Sequence, residues 1–116
     1  MTVVISAVME LDPAHAENIL RSLAPVVEEV LADSDCQAYT WALDPFSPGR
    51  VHVFEQYTDS EALARHFAMP GVRGLRKLLE AAGPISVVST KYRVDHFEPV
   101  LDATGKPRPD FFSAPD

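Results

Sequence analysis

The stretch from Val51 to Phe67 constrains the fold more than any other part of the sequence. It opens with β-branched and aromatic residues, which is typical of a β-strand ending at Tyr57. Thr58 and Glu61 then match the S/T-x-x-E capping box, in which a hydroxyl and a carboxylate each bind a free backbone N–H at the start of a helix. The pattern therefore predicts a strand followed at once by a helix that begins at about Thr58.

One face of this helix combines a histidine with apolar side chains. Leu63, His66 and Phe67 are three and four residues apart, so they share a face that points toward the core or its edge. Histidine titrates near neutral pH without help, which makes His66 the leading candidate for proton transfer. We expect it to line a cavity between helices and sheet. The alternative is a structural histidine that is hydrogen-bonded to the backbone.

The other elements complete an α+β arrangement. A helix opened by Asp12 and Pro13 is predicted to run to about Ala32 with a kink at Pro25, because its apolar residues form one stripe. A short helix after the one bearing His66 is ended by Gly83-Pro84. Strands are predicted at 3–9, 36–43, 50–57 and 85–97. The order β-α-β-β-α-β is that of a ferredoxin-like fold with a four-stranded antiparallel sheet.

Two of the predicted strands indicate how the sheet is covered. Residues 3–9 are apolar at nearly every position, and residues 85–89 repeat this more weakly, so both sheet faces should be buried. A small domain with few helices covers one face only, so we expect a second copy on the other. In the strand at 36–43, strict alternation places Gln37, Tyr39 and Trp41 on one face and Cys36 on the opposite one.

The segment that runs from the strand through the acid-x-aromatic Glu55-Gln56-Tyr57 to Ala62-Leu63 and His66-Phe67 resembles the antibiotic biosynthesis monooxygenase domains. The likeness covers roughly residues 3–97. It implies a dimeric α/β barrel, a homodimer, and enzymes that oxidise quinols or polycyclic aromatic compounds with dioxygen and no cofactor. The predicted function is therefore a cofactor-independent monooxygenase-like enzyme.

The candidate residues follow from this expectation. His66 is assigned as base or hydrogen-bond donor, Tyr57 as a positioning group in the catalytic set, and Arg76 as the group that stabilises an oxyanion. Substrate-binding candidates are Trp41, Tyr39, Phe67 and Glu55. Each also has a structural interpretation: the aromatic residues as core, the arginine as solvent-exposed, and Glu55 as an inward charge that discourages edge pairing.

Composition excludes several other classes of function. A chain of 116 residues with a formal net charge of −7 fits one domain and disfavours nucleic acid and anionic membranes. The single Cys36 has no partner in the chain, no histidine pair has metal-ligand spacing, and phosphate-binding and serine-elbow motifs are missing. We therefore predict no metal and no organic cofactor. The absence of a leader pattern and of a roughly 20-residue apolar run predicts a cytoplasmic protein.

Residues 1–98 are predicted to form the domain and residues 99–116 an irregular, proline-rich tail whose Phe111-Phe112 pair docks on the domain or on a partner subunit. Two alternatives to the monooxygenase remain open. One is a non-catalytic module that binds a small hydrophobic molecule or only dimerises. The other is a cofactor-free isomerase or cyclase on the same fold.

Overall fold

The computed structural model describes residues 1–112 and shows one sheet with helices on one of its faces. The strands are β1 (Thr2–Glu10), β2 (Cys36–Leu43), β3 (Arg50–Tyr57) and β4 (Ser86–Val94), and the helices are α1 (Ala16–Ser22), α2 (Ala24–Leu31), α3 (Ser60–Ala68), α4 (Pro70–Arg73) and α5 (Leu75–Glu80). Neighbouring strands are antiparallel in the order β2-β3-β1-β4. The predicted ferredoxin-like α+β fold is confirmed, with an open sheet rather than a closed barrel in the single chain.

The core lies between the helices and one face of β1, β2 and β3. On β1, Val3, Ile5, Ala7 and Met9 are buried, and the residues between them point to the opposite face. Two apolar clusters fill the helix side, one built around Val30, Tyr39, Tyr57 and Leu63, the other around Leu11, Ile19, Val51, Val53 and Leu79. Within the single chain, β1 therefore alternates between buried and more accessible positions, and its near-continuous apolar sequence is not explained by the chain alone.

The first helical region is divided rather than kinked. The Asp12 side chain accepts a hydrogen bond from the Ala14 N–H and caps a turn, and the helix proper begins at Ala16. A break at Leu23 then separates α1 from α2, and Pro25 falls in the first turn of α2, where a missing N–H loses no helical hydrogen bond. The prediction of one kinked helix from Asp12 was thus wrong in its start and in its continuity.

Strand β2 contains a bulge that strict alternation did not predict. The register shifts between Cys36 and Ala38, so that Cys36 lies opposite Tyr57 on the helix side. Gln37 is exposed, and its side-chain oxygen accepts a hydrogen bond from Gln56 on the uncovered face. The predicted faces hold for Tyr39 and are wrong for Cys36 and Gln37, because one extra residue in a strand reverses every side chain before it.

The helix bearing His66 is capped by Asp59 rather than by Thr58. The Asp59 side chain accepts a hydrogen bond from the Ala62 N–H at 2.9 Å, and the helix starts at Ser60. The predicted capping box of Thr58 and Glu61 is therefore wrong, although the helix and its buried face are as expected. A shift of one residue in the cap leaves the spacing of Leu63 and His66 unchanged.

The C-terminal part of the described chain lies largely in solvent. Strand β4 ends at Val94, earlier than the predicted strand to 97, and residues 95–112 are irregular except for a β-bridge between Leu101 and Pro107. The Phe111 ring contacts His96, which lies just after β4 in the predicted domain, whereas the Phe112 ring lies under the Arg108 guanidinium of the tail itself. Docking on a partner stays a prediction, and residues 113–116 of the predicted tail lie outside the described part.

Candidate functional site

His66 lies in an aromatic environment beneath α3. It is the buried polar residue of the core, with 4% of its surface exposed. The ring centroids of Tyr57 and Tyr39 are 5.1 and 5.2 Å from that of the imidazole, and the Phe67 ring is 5.5 Å away. Strands β2 and β3 supply the two tyrosines and α3 supplies the phenylalanine, so the site joins the sheet to the helix.

A carboxylate and a phenol complete the cluster around the imidazole. Glu55 and Tyr57 alternate along β3 onto the same face, and the Tyr57 hydroxyl donates to Glu55 Oε1 at 2.5 Å. The same oxygen lies 3.4 Å from His66 Nε2. Because Oε1 acts as an acceptor, it favours the tautomer in which Nε2 carries the proton.

The second ring nitrogen of His66 is then left with a free lone pair. Nδ1 is buried and has no hydrogen-bond partner, and the only other buried side-chain nitrogen or oxygen of the described residues in this state is Trp41 Nε1. Buried polar atoms are nearly always paired, so an unpaired one calls for a specific explanation, which includes catalysis. Both atoms belong to residues that contact Tyr39.

Burial shifts the protonation of the cluster toward neutral forms. Desolvation lowers the pKa of His66 and raises the pKa of Glu55, and the hydrogen bond from Tyr57 opposes part of the rise in Glu55. Desolvation and the nearby carboxylate raise the pKa of Tyr57 well above its usual range. Burial likewise raises the pKa of Tyr39 to about 12. At neutral pH the imidazole is therefore uncharged and able to accept a proton.

Two clefts flank this cluster, and His66 lines neither of them. The β2 cleft, of about 450 Å³, lies between α1, α2 and β2, with Tyr39 and Trp41 in its wall. The β4 groove, of about 920 Å³, lies between α3 and β4, with Leu63 and Phe67 on the helix side. The expectation that His66 lines a cavity is not met at either cleft, because the Tyr39 and Phe67 rings stand between.

The structure brings most of the candidate residues together and separates one. His66, Tyr57, Glu55, Tyr39 and Phe67 form one contact cluster, and Trp41 adjoins it through Tyr39, at 6.1 Å between ring centroids. Arg76 is exposed on α5, and its guanidinium donates to Glu80 at 2.8 Å. No contact of Arg76 joins it to the cluster within residues 1–112, since helical spacing directs it to solvent.

Sequence reasoning missed Arg65, the neighbour of His66. Its guanidinium binds Asp33 at 3.1 Å and Asp35 at 2.7 Å, which ties α3 to the loop before β2. The same contact lowers the pKa of Asp33. The two neighbouring acidic residues Asp33 and Asp35 are a sequence signal for an ion pair, but they do not identify Arg65 as its partner. The two bonds restrain the helix that carries His66.

The remaining histidines are placed at the surface. His52 contacts Asp44 and His96 contacts Glu98, each through a single carboxylate. Within the described residues no group of three or more His, Cys, Asp or Glu side chains is arranged to hold a metal ion. None of the helices described for residues 1–112 has the length and apolarity to span a bilayer.

The sequence model of the antibiotic biosynthesis monooxygenase family matches residues 2–78. The chain belongs to this family. The match covers β1 through most of α5 and includes the whole cluster around His66. No curated protein sequence matches the chain.

Solved structures related to the antibiotic biosynthesis monooxygenase family share the fold. A candidate member from Deinococcus radiodurans has a TM-score of 0.76 at 19% identity, covering 86% of this chain and 99% of that one. A candidate member from Caulobacter crescentus has a TM-score of 0.73 at 18% identity, covering 84% and 91%. A third structure, named as an antibiotic biosynthesis monooxygenase, has a TM-score of 0.62 at 27% identity, covering 78% and 96%. Membership supports a general monooxygenase-like function.

Proposed function

We propose that the chain is a cofactor-independent monooxygenase that oxidises an electron-rich phenol, quinol or polycyclic aromatic compound with dioxygen. The observation that carries the proposal is the buried, unpaired Nδ1 of His66 beside the Glu55–Tyr57 pair. A neutral imidazole with a free lone pair in an apolar site is suited to withdraw a proton from a weak acid.

His66, Glu55 and Tyr57 each have a separate role in the proton transfer. Nδ1 of His66 takes the substrate proton, and the Nε2–H, directed toward Glu55 Oε1, fixes the tautomer that makes this possible. The resulting imidazolium is stabilised by the carboxylate, whose position is held by the hydrogen bond from Tyr57. Tyr57 is too weak an acid to lose its own proton, so it remains a donor throughout.

The substrate supplies the electrons for the reduction of oxygen. With an anthrone, deprotonation gives an electron-rich anion that reacts with dioxygen at carbon. One oxygen atom becomes the new carbonyl oxygen, and the other leaves as water with the two hydrogens lost from the substrate. Apolar rings around His66 exclude bulk water from the reactive intermediates.

Access to Nδ1 requires a side chain to move. The Tyr39 ring separates the imidazole from the β2 cleft, and the Phe67 ring, 55% exposed, lies between it and the β4 groove. Rotation of an aromatic wall on substrate entry is a common way to close a site around its substrate. We assign the substrate to the β2 cleft, because the Tyr39 ring in its wall contacts both residues that have an unpaired buried nitrogen, His66 and Trp41.

The enzyme is further proposed to act as a homodimer joined through the uncovered sheet face. On that face Val4 pairs with Tyr92, Ser6 with Phe54, and Val8 with Val88, and four of these side chains are large, apolar and exposed. An apolar patch of this kind is usually an interaction site. A second copy would cover it and form the dimeric barrel that the family resemblance implies.

The test is oxygen uptake with an anthrone by His66→Asn, with His15→Asn as the matched control. His15 is exposed at the start of α1, so its replacement should change neither uptake nor melting temperature. Removal of a general base should lower kcat by about 10²- to 10⁴-fold. Unchanged uptake in a folded His66→Asn protein would contradict the assignment.

The closed packing around His66 favours a second candidate, a module that binds a small hydrophobic molecule without converting it. Binding of an aromatic ligand with no uptake and no product would identify it. An isomerase or cyclase that uses His66 for proton transfer alone would give product without oxygen uptake, so the same assay separates all three.

A further inference from the structure

The β4 groove is the larger of the two clefts that flank the His66 cluster, and its two walls differ in chemistry. Leu63, Ala64 and Phe67 form an apolar wall on α3, and Val3 of β1 adds to the apolar surface. The other wall is β4, which carries charged side chains. The volume of about 920 Å³ is within the usual range for ligand pockets. An apolar wall and a charged wall therefore face each other across a space that is large enough for a small molecule.

The charge on the β4 wall comes from Lys91 and Arg93, which both line the groove. The two residues are one position apart in the alternation of the strand, so they point to the same sheet face with roughly 6.5 Å between them along β4. Their pairing partners on β1 are Ile5 and Val3, which are buried on the helix side. Both cations therefore lie on the helix side, where one carboxylate can contact the two together.

Neither cation has a partner of its own. Within residues 1–112, Lys91 and Arg93 make no hydrogen bond and no ion pair. By contrast, Arg50, Arg65 and Arg108 are each bound to a carboxylate. The chain has 17 acidic and 10 basic residues, so acidic partners are abundant. Two neighbouring cations that face a cleft without a partner are therefore not explained by the fold.

The acidic residues of the groove, Asp59 and Glu61, lie at the start of α3. The Asp59 carboxylate accepts a hydrogen bond from the Ala62 N–H, so its position is fixed by its role as the helix cap. In the described part of the chain neither acid forms an ion pair with Lys91 or Arg93. The positive charge along β4 is thus not neutralised by a direct contact from the opposite wall.

We propose that the β4 groove binds a planar aromatic carboxylate. Its carboxylate oxygens would accept hydrogen bonds from the Lys91 ammonium and the Arg93 guanidinium, and its rings would pack on Phe67 and Leu63. The two cations select an acid over a neutral aromatic compound. The apolar wall selects an aromatic acid over a small inorganic anion.

This site is separate from the one proposed for the monooxygenase reaction. Strands β2 and β4 are the two edges of the sheet, and the β2 cleft and the β4 groove have no lining residue in common. His66 lies between them, in contact with the Tyr39 ring of one cleft and the Phe67 ring of the other. An acid in the β4 groove therefore leaves the position assigned to the substrate free.

The test compares 2-naphthoate with 2-naphthalenemethanol, which has the same rings and no charge. Calorimetric titration of the wild type should show roughly ten- to 100-fold tighter binding of naphthoate. Lys91→Gln and Arg93→Gln should each weaken naphthoate binding by roughly three- to tenfold and leave binding of the alcohol nearly unchanged, because each removes one charged donor. Lys91→Arg, which keeps the charge, should retain binding.

Lys77→Gln is the matched control, because Lys77 is exposed on α5 and does not line the groove. It removes the same charge from the chain, so unchanged naphthoate binding excludes an effect of net charge alone. Phe67→Ala should weaken both compounds alike, since it removes the ring surface that both contact. Binding of neither compound to the wild type, equal binding of both, or equal losses in Lys77→Gln and Lys91→Gln would overturn the site.

Ionic strength provides a measurement that needs no substitution. Raising sodium chloride from about 50 mM to about 500 mM should weaken naphthoate binding several-fold and should not weaken binding of the alcohol, because salt screens the exposed cations. The same response from both compounds would contradict a role for Lys91 and Arg93.

Sedimentation of the variants distinguishes a ligand from a second copy of the chain as the occupant of the groove. Lys91→Gln and Arg93→Gln should sediment at the same mass as the wild type. A lower mass in both variants, together with no binding of naphthoate to the wild type, would assign the groove to a contact between subunits and reject the carboxylate site.

Discussion

Strands β1 and β4 pair along their whole length, yet they lie in very different environments. On β1 every second side chain is buried under the helices, whereas on β4 eight of nine residues are exposed and the ninth is half-buried. The helices cover β1, β2 and β3 and leave β4 open on both faces. The buried half of the sheet therefore carries the candidate site around His66, and the open half is not covered by any element of residues 1–112.

The dimensions of the chain also differ from those of a compact domain. Its radius of gyration is 16.5 Å, against about 13 Å expected for a compact chain of this length. In the segment after β4, the large apolar side chains Phe97, Val100 and Leu101 are exposed. A sheet edge and a tail of this composition are suited to an interface.

The largest expected effect is the loss of the dimer in Val88→Asp. Val88 is 73% exposed on the uncovered face, so the charge should not disturb the single-chain fold. In a sheet-to-sheet dimer it would be buried without a partner, which costs several kcal/mol and should raise the dissociation constant by about 10²-fold or more.

Sedimentation at micromolar concentration provides the measurement. The wild type should sediment at twice the chain mass and Val88→Asp at the chain mass. The matched control is Leu31→Asp, at an exposed apolar residue on the helix side of the sheet, which should keep the dimer mass. A wild-type monomer with a solvated sheet would contradict the proposed sheet-to-sheet interface.

The next largest effect is on folding stability in the buried half. Val53 on β3 is 4% exposed and packs in the second apolar cluster. Val53→Ala should lower the free energy of unfolding by about 1.5 to 3 kcal/mol, from lost burial and an unfilled cavity. Val100→Ala, the same change at an exposed site, should stay within about 0.5 kcal/mol in urea denaturation. Equal losses would show that the two regions do not differ as described.

A smaller effect is expected in the pH dependence of stability. Because burial lowers the pKa of His66, the unfolded chain takes up a proton below about 6.5 that the folded chain does not, so acidification lowers the free energy of unfolding. Glu55 has the opposite sign, since its raised pKa lets the folded chain bind a proton first as the pH falls. The free energy of unfolding of the wild type should therefore approach that of His66→Asn as the pH falls from 7.5 to 5.5. A constant difference would mean that His66 is not desolvated.

The smallest effect is expected at Arg76. Its ion pair with Glu80 is an exposed contact across one helical turn, and such pairs contribute little to the free energy of unfolding. Arg76→Ala should change the free energy of unfolding by no more than about 0.5 kcal/mol and should leave oxygen uptake unaltered. A large loss of uptake would return Arg76 to the catalytic set that sequence reasoning assigned to it.

Much of the fold was predictable because the patterns are local. The bounds predicted for β2 and β3 agree with the structure, since turn residues delimit both strands. The bulge at Cys36 was not predictable, because nothing in the alternation of side chains records an extra residue. The cap at Asp59 was missed for a different reason: Thr58 and Asp59 are both good caps, and only the backbone selects between them.

The candidate site was predictable in part for the same reason. Helical spacing placed His66 on the buried face, and strand alternation placed Glu55 and Tyr57 together. The aromatic wall that closes His66 off from both clefts depends on packing between elements that are distant in sequence. The contacts of Arg65 with Asp33 and Asp35 were likewise hidden, because they join two elements about 30 residues apart.

The proposed function depends on His66 being a neutral, buried imidazole whose Nδ1 is free to accept a proton. Proton–nitrogen correlation spectra of the imidazole rings test it most directly, with the His66 signals among the four histidines identified by their loss in His66→Asn. We expect the neutral Nε2–H tautomer at pH 7, with Nδ1 unprotonated and the pKa of His66 below 6.5. An imidazolium at pH 7, or a proton on Nδ1, would contradict it.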